Sequence, residues 1–131
     1  MQEDFFKMQG GFTVITKVVE KLKTGKIKNV MPYGEDQLPA PPYIIVKTER
    51  DPVGAGTIYR IIVHMTPGQN TFLEDYTKGD IADMLDNFAA YDRHGNYNML
   101  LTQNSYVDTI VNNDDGSISR EAVYLLPSKI F

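Results

Sequence analysis

Apolar residues recur along this chain with two different periods, and the changes of period divide it into elements. Over residues 11–24, GFTVITKVVEKLKT, the side chains Ile15, Val18, Val19 and Leu22 fall at i, i+3, i+4 and i+7, while Lys17, Glu20, Lys21 and Lys23 lie off that stripe. The spacing predicts an amphipathic helix, and Gly25 stands where such a helix ends. Its β-branched residues lower intrinsic helix propensity, so packing has to hold it. Residues 43–50, YIIVKTER, and 57–66, TIYRIIVHMT, read instead as two strands joined by the turn-forming DPVGAG at 51–56. In the second strand Tyr59, Ile61, Val63 and Met65 make one apolar face, and Ile58, Arg60, Ile62, His64 and Thr66 make a mixed one.

The period then returns to that of a helix. PGQNTF at 67–72 ends the strand and offers Asn70 or Thr71 as N-cap, and Leu73, Ile81, Met84, Leu85 and Phe88 carry an apolar stripe to about residue 88. Gly79 weakens the middle of that helix by roughly 1 kcal/mol relative to Ala and predicts a kink or break. YDRHGNYN at 91–98 reads as a loop and MLLTQNSYVDTIV at 99–111 as a long, bulged strand. NNDDGS at 112–117 is a hairpin turn, ISREAVYLL at 118–126 the last strand, and Pro127 its stop.

The order α-β-β-α-β-β predicts an α+β fold: a mostly antiparallel four-stranded sheet with two helices on one face. A chain of 131 residues makes one domain, 1–131. Residues 1–10 form an N-terminal arm with no pattern that demands order. Residues 26–42, with Pro32, Pro39, Pro41 and Pro42, form a Pro-rich connector rather than a domain linker, because what precedes them is too small to fold alone. With helices on one side of the sheet, the mixed face is left for something else. Ile58 and Ile62 beside Arg60 and His64 suit a partner subunit better than water, which makes these four the candidate subunit interface.

Composition narrows the chemistry. The net charge is −4, against gripping nucleic acid as a main task, and there is no Cys, which removes disulfides, thiolate metal sites and Cys nucleophiles. The start MQEDFFKMQGG lacks the basic and apolar regions of a signal peptide, and no run approaches the ~18 apolar residues of a membrane span. A soluble protein made in the cytoplasm, with no membrane partner, is the expectation. His64 and His94 stand 30 residues apart without metal-ligand spacing. Glu74, Asp75, Asp80, Asp83 and Asp86 read as the solvated side of an amphipathic helix rather than an acid/base pair. NNDDGS lacks the remainder of a calcium loop. No phosphate-loop, dinucleotide or nucleophile-elbow motif occurs. The reading is therefore not an enzyme, with no catalytic, metal or cofactor residues.

The run VMPYGEDQLPAPPYIIV (30–46), followed by IYRIIVHMTPG, LEDYTKGDIADMLDNF and SYVDTIVNNDDGSISREAVYLL, resembles the tail-terminator or tail-completion (head–tail joining) proteins of long-tailed bacteriophages over roughly residues 11–126. That resemblance implies a structural virion protein of the tail or neck, assembled in the host cytoplasm. It implies a homo-oligomeric ring, commonly a hexamer, that caps the head-proximal end of the tail tube. Its partners would be its own copies, the tail-tube protein and the head-completion or connector protein, with DNA only passing through the lumen. The hairpin tips then become candidate docking loops: Pro52, Val53 and Gly54 in one, Asp114 and Asp115 in the other. Two other readings compete. One is a small ligand-binding domain or enzyme with Arg60, His64 and Asp108 converging on the open sheet face. The other is a single-strand nucleic-acid binder stacking bases on Tyr43, Tyr59, Tyr106 and Tyr124.

Overall fold

The computed structural model describes residues 10–34, 37–54, 56–86, 88–91, 97–99, 101–102 and 110–127. Helix α1 (Gly10–Leu22) leads into β1 (Val30–Pro32), β2 (Tyr43–Arg50) and β3 (Gly56–Met65). A helical rod follows in three consecutive pieces: α2 (Asn70–Asp75), a π turn (Tyr76–Asp80) and α3 (Ile81–Leu85). Short strands β4 (Ala89–Tyr91), β5 (Tyr97–Met99), β6 (Leu101–Thr102) and β7 (Val111–Asn112) precede the long β8 (Ile118–Pro127).

The fold is α+β, as expected, but the sheet is mixed and has five strand positions, in the order β1-β2-β3-β8-β6, with β7 sharing β8's outer edge. This corrects the expected four-stranded, mostly antiparallel sheet. The added member is β1, which pairs in parallel with β2 from inside the Pro-rich connector (Val30↔Ile44, Pro32↔Val46). β2, β3 and β8 form the antiparallel centre. The expected strand 99–111 is present at its two ends. Thr102 pairs with Tyr124 and Val111 with Ser119, so nine steps of chain answer five of β8, and residues 103–109 lie outside the described residues. A separate two-stranded ladder, β4–β5, flanks the expected loop 91–98.

Alternation decides what each face does. Ile44 and Val46 on β2, Tyr59, Ile61, Val63 and Met65 on β3, and Ile118, Ala122 and Tyr124 on β8 share one side of the sheet. All belong to one core cluster with Val14, Val18 and Leu22 of α1 and Leu73, Tyr76, Ile81 and Leu85 of the rod. Both helices therefore pack on the same face. The core also takes in a charge: Arg120, only 3% exposed and paired across to Val63, reaches Glu74 at 3.8 Å.

The rod differs from expectation at its start and middle. Its N-cap is Gln69 and no side chain caps it, so neither Asn70 nor Thr71 takes that role. At Gly79 the chain does not break; it widens into the π turn. The rod ends at Leu85, before Phe88, which packs against the core from outside the helix. Tyr76 opens the π turn, and its buried hydroxyl accepts a hydrogen bond from the Ile27 amide at 3.2 Å, tying the rod to the segment between α1 and β1. Gly25 makes room for that contact, because a Cβ there would lie 2.5 Å from the Tyr76 oxygen.

This lock is testable by denaturant unfolding. Tyr76→Phe strands a buried amide and should cost about 1–3 kcal/mol. Gly25→Ala should cost a similar ~1–3 kcal/mol, and the double variant should lose less than the sum, since both remove the same hydrogen bond.

Candidate functional site

The second face of the sheet is built by the alternate residues of the same three strands. Reading across from β2 to β3 to β8, its rows are Tyr43–His64–Ser119, Ile45–Ile62–Glu121, Lys47–Arg60–Val123 and Glu49–Ile58–Leu125. The four residues expected as an interface, Ile58, Arg60, Ile62 and His64, all lie here and are half-buried. Ile45 and Val123 on the same face are buried yet stand outside the helix-side core cluster. The face is thus an apolar strip crossed by one band of charge.

Arg60 is the centre of that band. Its guanidinium donates to Glu121 Oε2 at 2.6 Å and to Glu49 Oε2 at 3.1 Å, one carboxylate from each neighbouring strand. Hydrogen bonds to Glu49 and then Glu121 raise the guanidinium's affinity for its proton, and Arg60 in turn holds the Glu49 carboxyl below its ordinary value. Sequence reasoning found Arg60 and missed both partners. Their signal was the two-residue alternation of YIIVKTER and ISREAVYLL, but using it requires the strand register, which is not local. Beside the band, the Lys47 ammonium sits 4.9 Å from the centre of the Tyr33 ring.

His64 lies four residues along β3 from Arg60, about 13 Å at strand rise, with Ile62 between them. Its ring stacks on Tyr43, with centroids 4.5 Å apart and planes 13° from parallel. Nδ1 is sheltered and meets no hydrogen-bond partner among the described residues. Burial pushes the His64 proton affinity down, against an opposing pull from Asp115. Asp115 belongs to the β7–β8 turn, where its carboxylate accepts from the Ser117 amide at 2.9 Å and the Ser117 hydroxyl at 2.7 Å. Asn113 donates to the hydroxyls of Ser117 and Ser119, and Gly116 takes φ 90°, so NNDDGS is a self-bonded turn.

The geometry does not bring Arg60 and His64 together, and Arg60 is already occupied by two carboxylates. Asp108 and His94 lie outside the described residues. Of the strand tyrosines, Tyr59 and Tyr124 are buried on the helix side, where burial raises Tyr59 to about 12, and only Tyr43 shares the open face. Tyr106 also lies outside the described residues. Among the described residues no group of three or more His, Asp or Glu side chains could hold a metal ion, and no helix is long and apolar enough to cross a membrane. Open grooves of about 580, 460 and 200 Å³ mark the surface, and neither His64 nor Arg60 lines any of them.

The two expected docking loops are at opposite ends of the sheet. Pro52, Val53 and Gly54 are exposed beyond the Arg50↔Thr57 pair, whereas Asp114 and Asp115 are exposed beyond the end defined by His64↔Ser119. Val53 is 87% exposed. The chain matches no protein-family model, no curated protein and no solved structure.

A pH dependence follows from His64. In the unfolded chain it titrates near 6.5, and in the fold at a lower pH. Its contribution is therefore fully present above about 6.5 and is lost as the pH falls below that value toward the folded one. Melting temperatures measured between pH 7.5 and 5 should fall for the wild type, and His64→Phe should flatten that part of the curve. Asp115, whose carboxyl is held below its ordinary 3.8 chiefly by Ser117, contributes loss only at lower pH.

Proposed function

We propose that this chain is a structural subunit of a bacteriophage tail or neck, resembling a tail terminator. In this reading copies of the chain close into a ring, a hexamer, at the head-proximal end of the tail tube, and the ring joins tail to head. The observation that carries the reading is the second sheet face. Three strands present the half-buried Ile58, Ile62 and Leu125, with Ile45 and Val123 already enclosed between them, around an Arg60 whose charge is met within the chain. Such a surface suits a protein neighbour: apolar contacts supply affinity, and the internally paired charges need little further neutralisation.

Two further features support it. Exposed turns at opposite ends of the sheet allow one subunit to meet different partners at its two ends. A net charge of −4 limits adhesion of DNA passing through a lumen.

Light scattering and negative-stain imaging of the purified chain, alone and mixed with tail-tube subunits, test the reading. Closed rings are expected, and Ile62→Asp should weaken their association by about tenfold or more, the scale of a central interface residue. A chain that stays monomeric at high concentration, even beside tube subunits, overturns the proposal.

A further inference from the structure

We infer that the outward face of α1 and the turn after it bind the phosphate backbone of duplex nucleic acid, by charge alone and without regard to base sequence. The inference stands on where this chain places its lysines and does not depend on the ring reading.

Charge is unevenly placed along the chain. Residues 17–28, KVVEKLKTGKIK, hold five of the 13 basic residues and one of the 17 acidic ones, a net +4 in a chain whose total is −4. Val14, Val18 and Leu22 turn into the core, which leaves Thr16, Lys17, Glu20, Lys21, Lys23 and Thr24 exposed on the outside. Lys26 and Lys28, just beyond, are exposed as well. Lys26 is loosely bridged to Asp80 at 3.8 Å, and Lys28 donates to the Lys23 carbonyl, a bond that leaves its charge unmatched. Lys17, Lys21 and Lys23 meet no carboxylate among the described residues. The described lysines elsewhere are engaged: Lys47 lies over the Tyr33 ring and Lys78 is paired with Glu74. Complementing the helix dipole accounts for Lys21, in the last turn of α1, but not for Lys17 one turn earlier.

The make-up of this face selects the partner. Its exposed residues are lysines, threonines and one glutamate, with no apolar side chain among them. A protein partner is held at a desolvated apolar or aromatic centre, which this face lacks. A phosphate backbone is held by charge and hydroxyl contacts alone. Lys17 and Lys21 stand one turn apart, about 6 Å along the axis, so the lysines form a line. Duplex nucleic acid presents the matching object, a line of negative charge with one phosphate per about 1.7 Å of axis. The face has no Arg, Asn or Gln to read base edges, so the contact carries no sequence preference.

The remainder of the chain carries −8, which turns a polyanion away from other surfaces and toward this one. Three or four lysines make a grip that rising salt loosens, so DNA is steered without being arrested.

Fluorescence anisotropy of a short labelled DNA duplex, titrated with the full chain at several salt concentrations, tests the inference. Binding is expected at low salt, with log K falling against log salt at a slope of about −3, and equally for duplexes of unrelated sequence. Lys21→Gln should take about 1 off that slope, whereas Lys78→Gln, the same change of charge elsewhere, should leave it as it was. Lys17→Gln, Lys21→Gln and Lys23→Gln together should weaken low-salt binding by about tenfold or more. Glutamine keeps the helix propensity of lysine, so these variants retain the fold. No binding at low salt, binding untouched by the triple variant, or a strong preference for one sequence overturns the inference. So does a duplex displaced more readily by polyglutamate or by phosphatidylserine vesicles than by unlabelled duplex at matched charge, which would assign the face to an acidic protein or a lipid surface. None of these results bears on ring assembly, which light scattering reads separately.

Discussion

β3 has a strand on each side, and its two-residue alternation is imposed on both neighbours at once. Ile61 can enter the helix-side core only if Val46 and Ala122, its partners across the ladders, enter with it. The same constraint sends Arg60, Lys47 and Val123 to the other side. A slip of one residue in either ladder would put Arg60 under the helices and Ile61 outside. The helix layer, the outward apolar strip and the position of every charged group on that strip follow from this one register.

Closure of the helix layer depends on a second, more local constraint. α1 is held to the sheet by Val14, Val18 and Leu22. The rod is held by Leu73, Ile81 and Leu85, with Tyr76 bonded to the chain just past α1. The π turn places the Tyr76 hydroxyl against Ile27 while Ile81 and Leu85 remain in the core. Arg120 is the exception within this apolar layer. Its pairing with Glu74 keeps one charge in contact with the helix that covers it, because a buried guanidinium without a carboxylate would cost several kcal/mol.

Elements whose cause is local were legible in the sequence. The alternation of TIYRIIVHMT defined both faces of β3, and the helical stripe at Ile15, Val18, Val19 and Leu22 located α1. Gly79 marked the place where the second helix departs from regular geometry, although as a widened turn and not a break. Elements whose cause is distant were not legible. β1 is three residues in a Pro-rich run, and only its parallel pairing with β2 makes it a strand. Gln69 is the N-cap without a side-chain capping bond, so residue-type preference did not mark it. The surface shows the same division: Ile58, Arg60, Ile62 and His64 could be placed on one face from spacing alone. Glu49 and Glu121 could be matched to Arg60 only through ladders that span ten or more residues of intervening chain.

β1 has a further effect through its shortness and its last residue. It borders the sheet, it offers only three residues, and Pro32 has no amide hydrogen to donate. A short border ending in proline is a poor template for a stranger's backbone. On that flank the molecule offers little to backbone pairing, which guards it against runaway fibre growth.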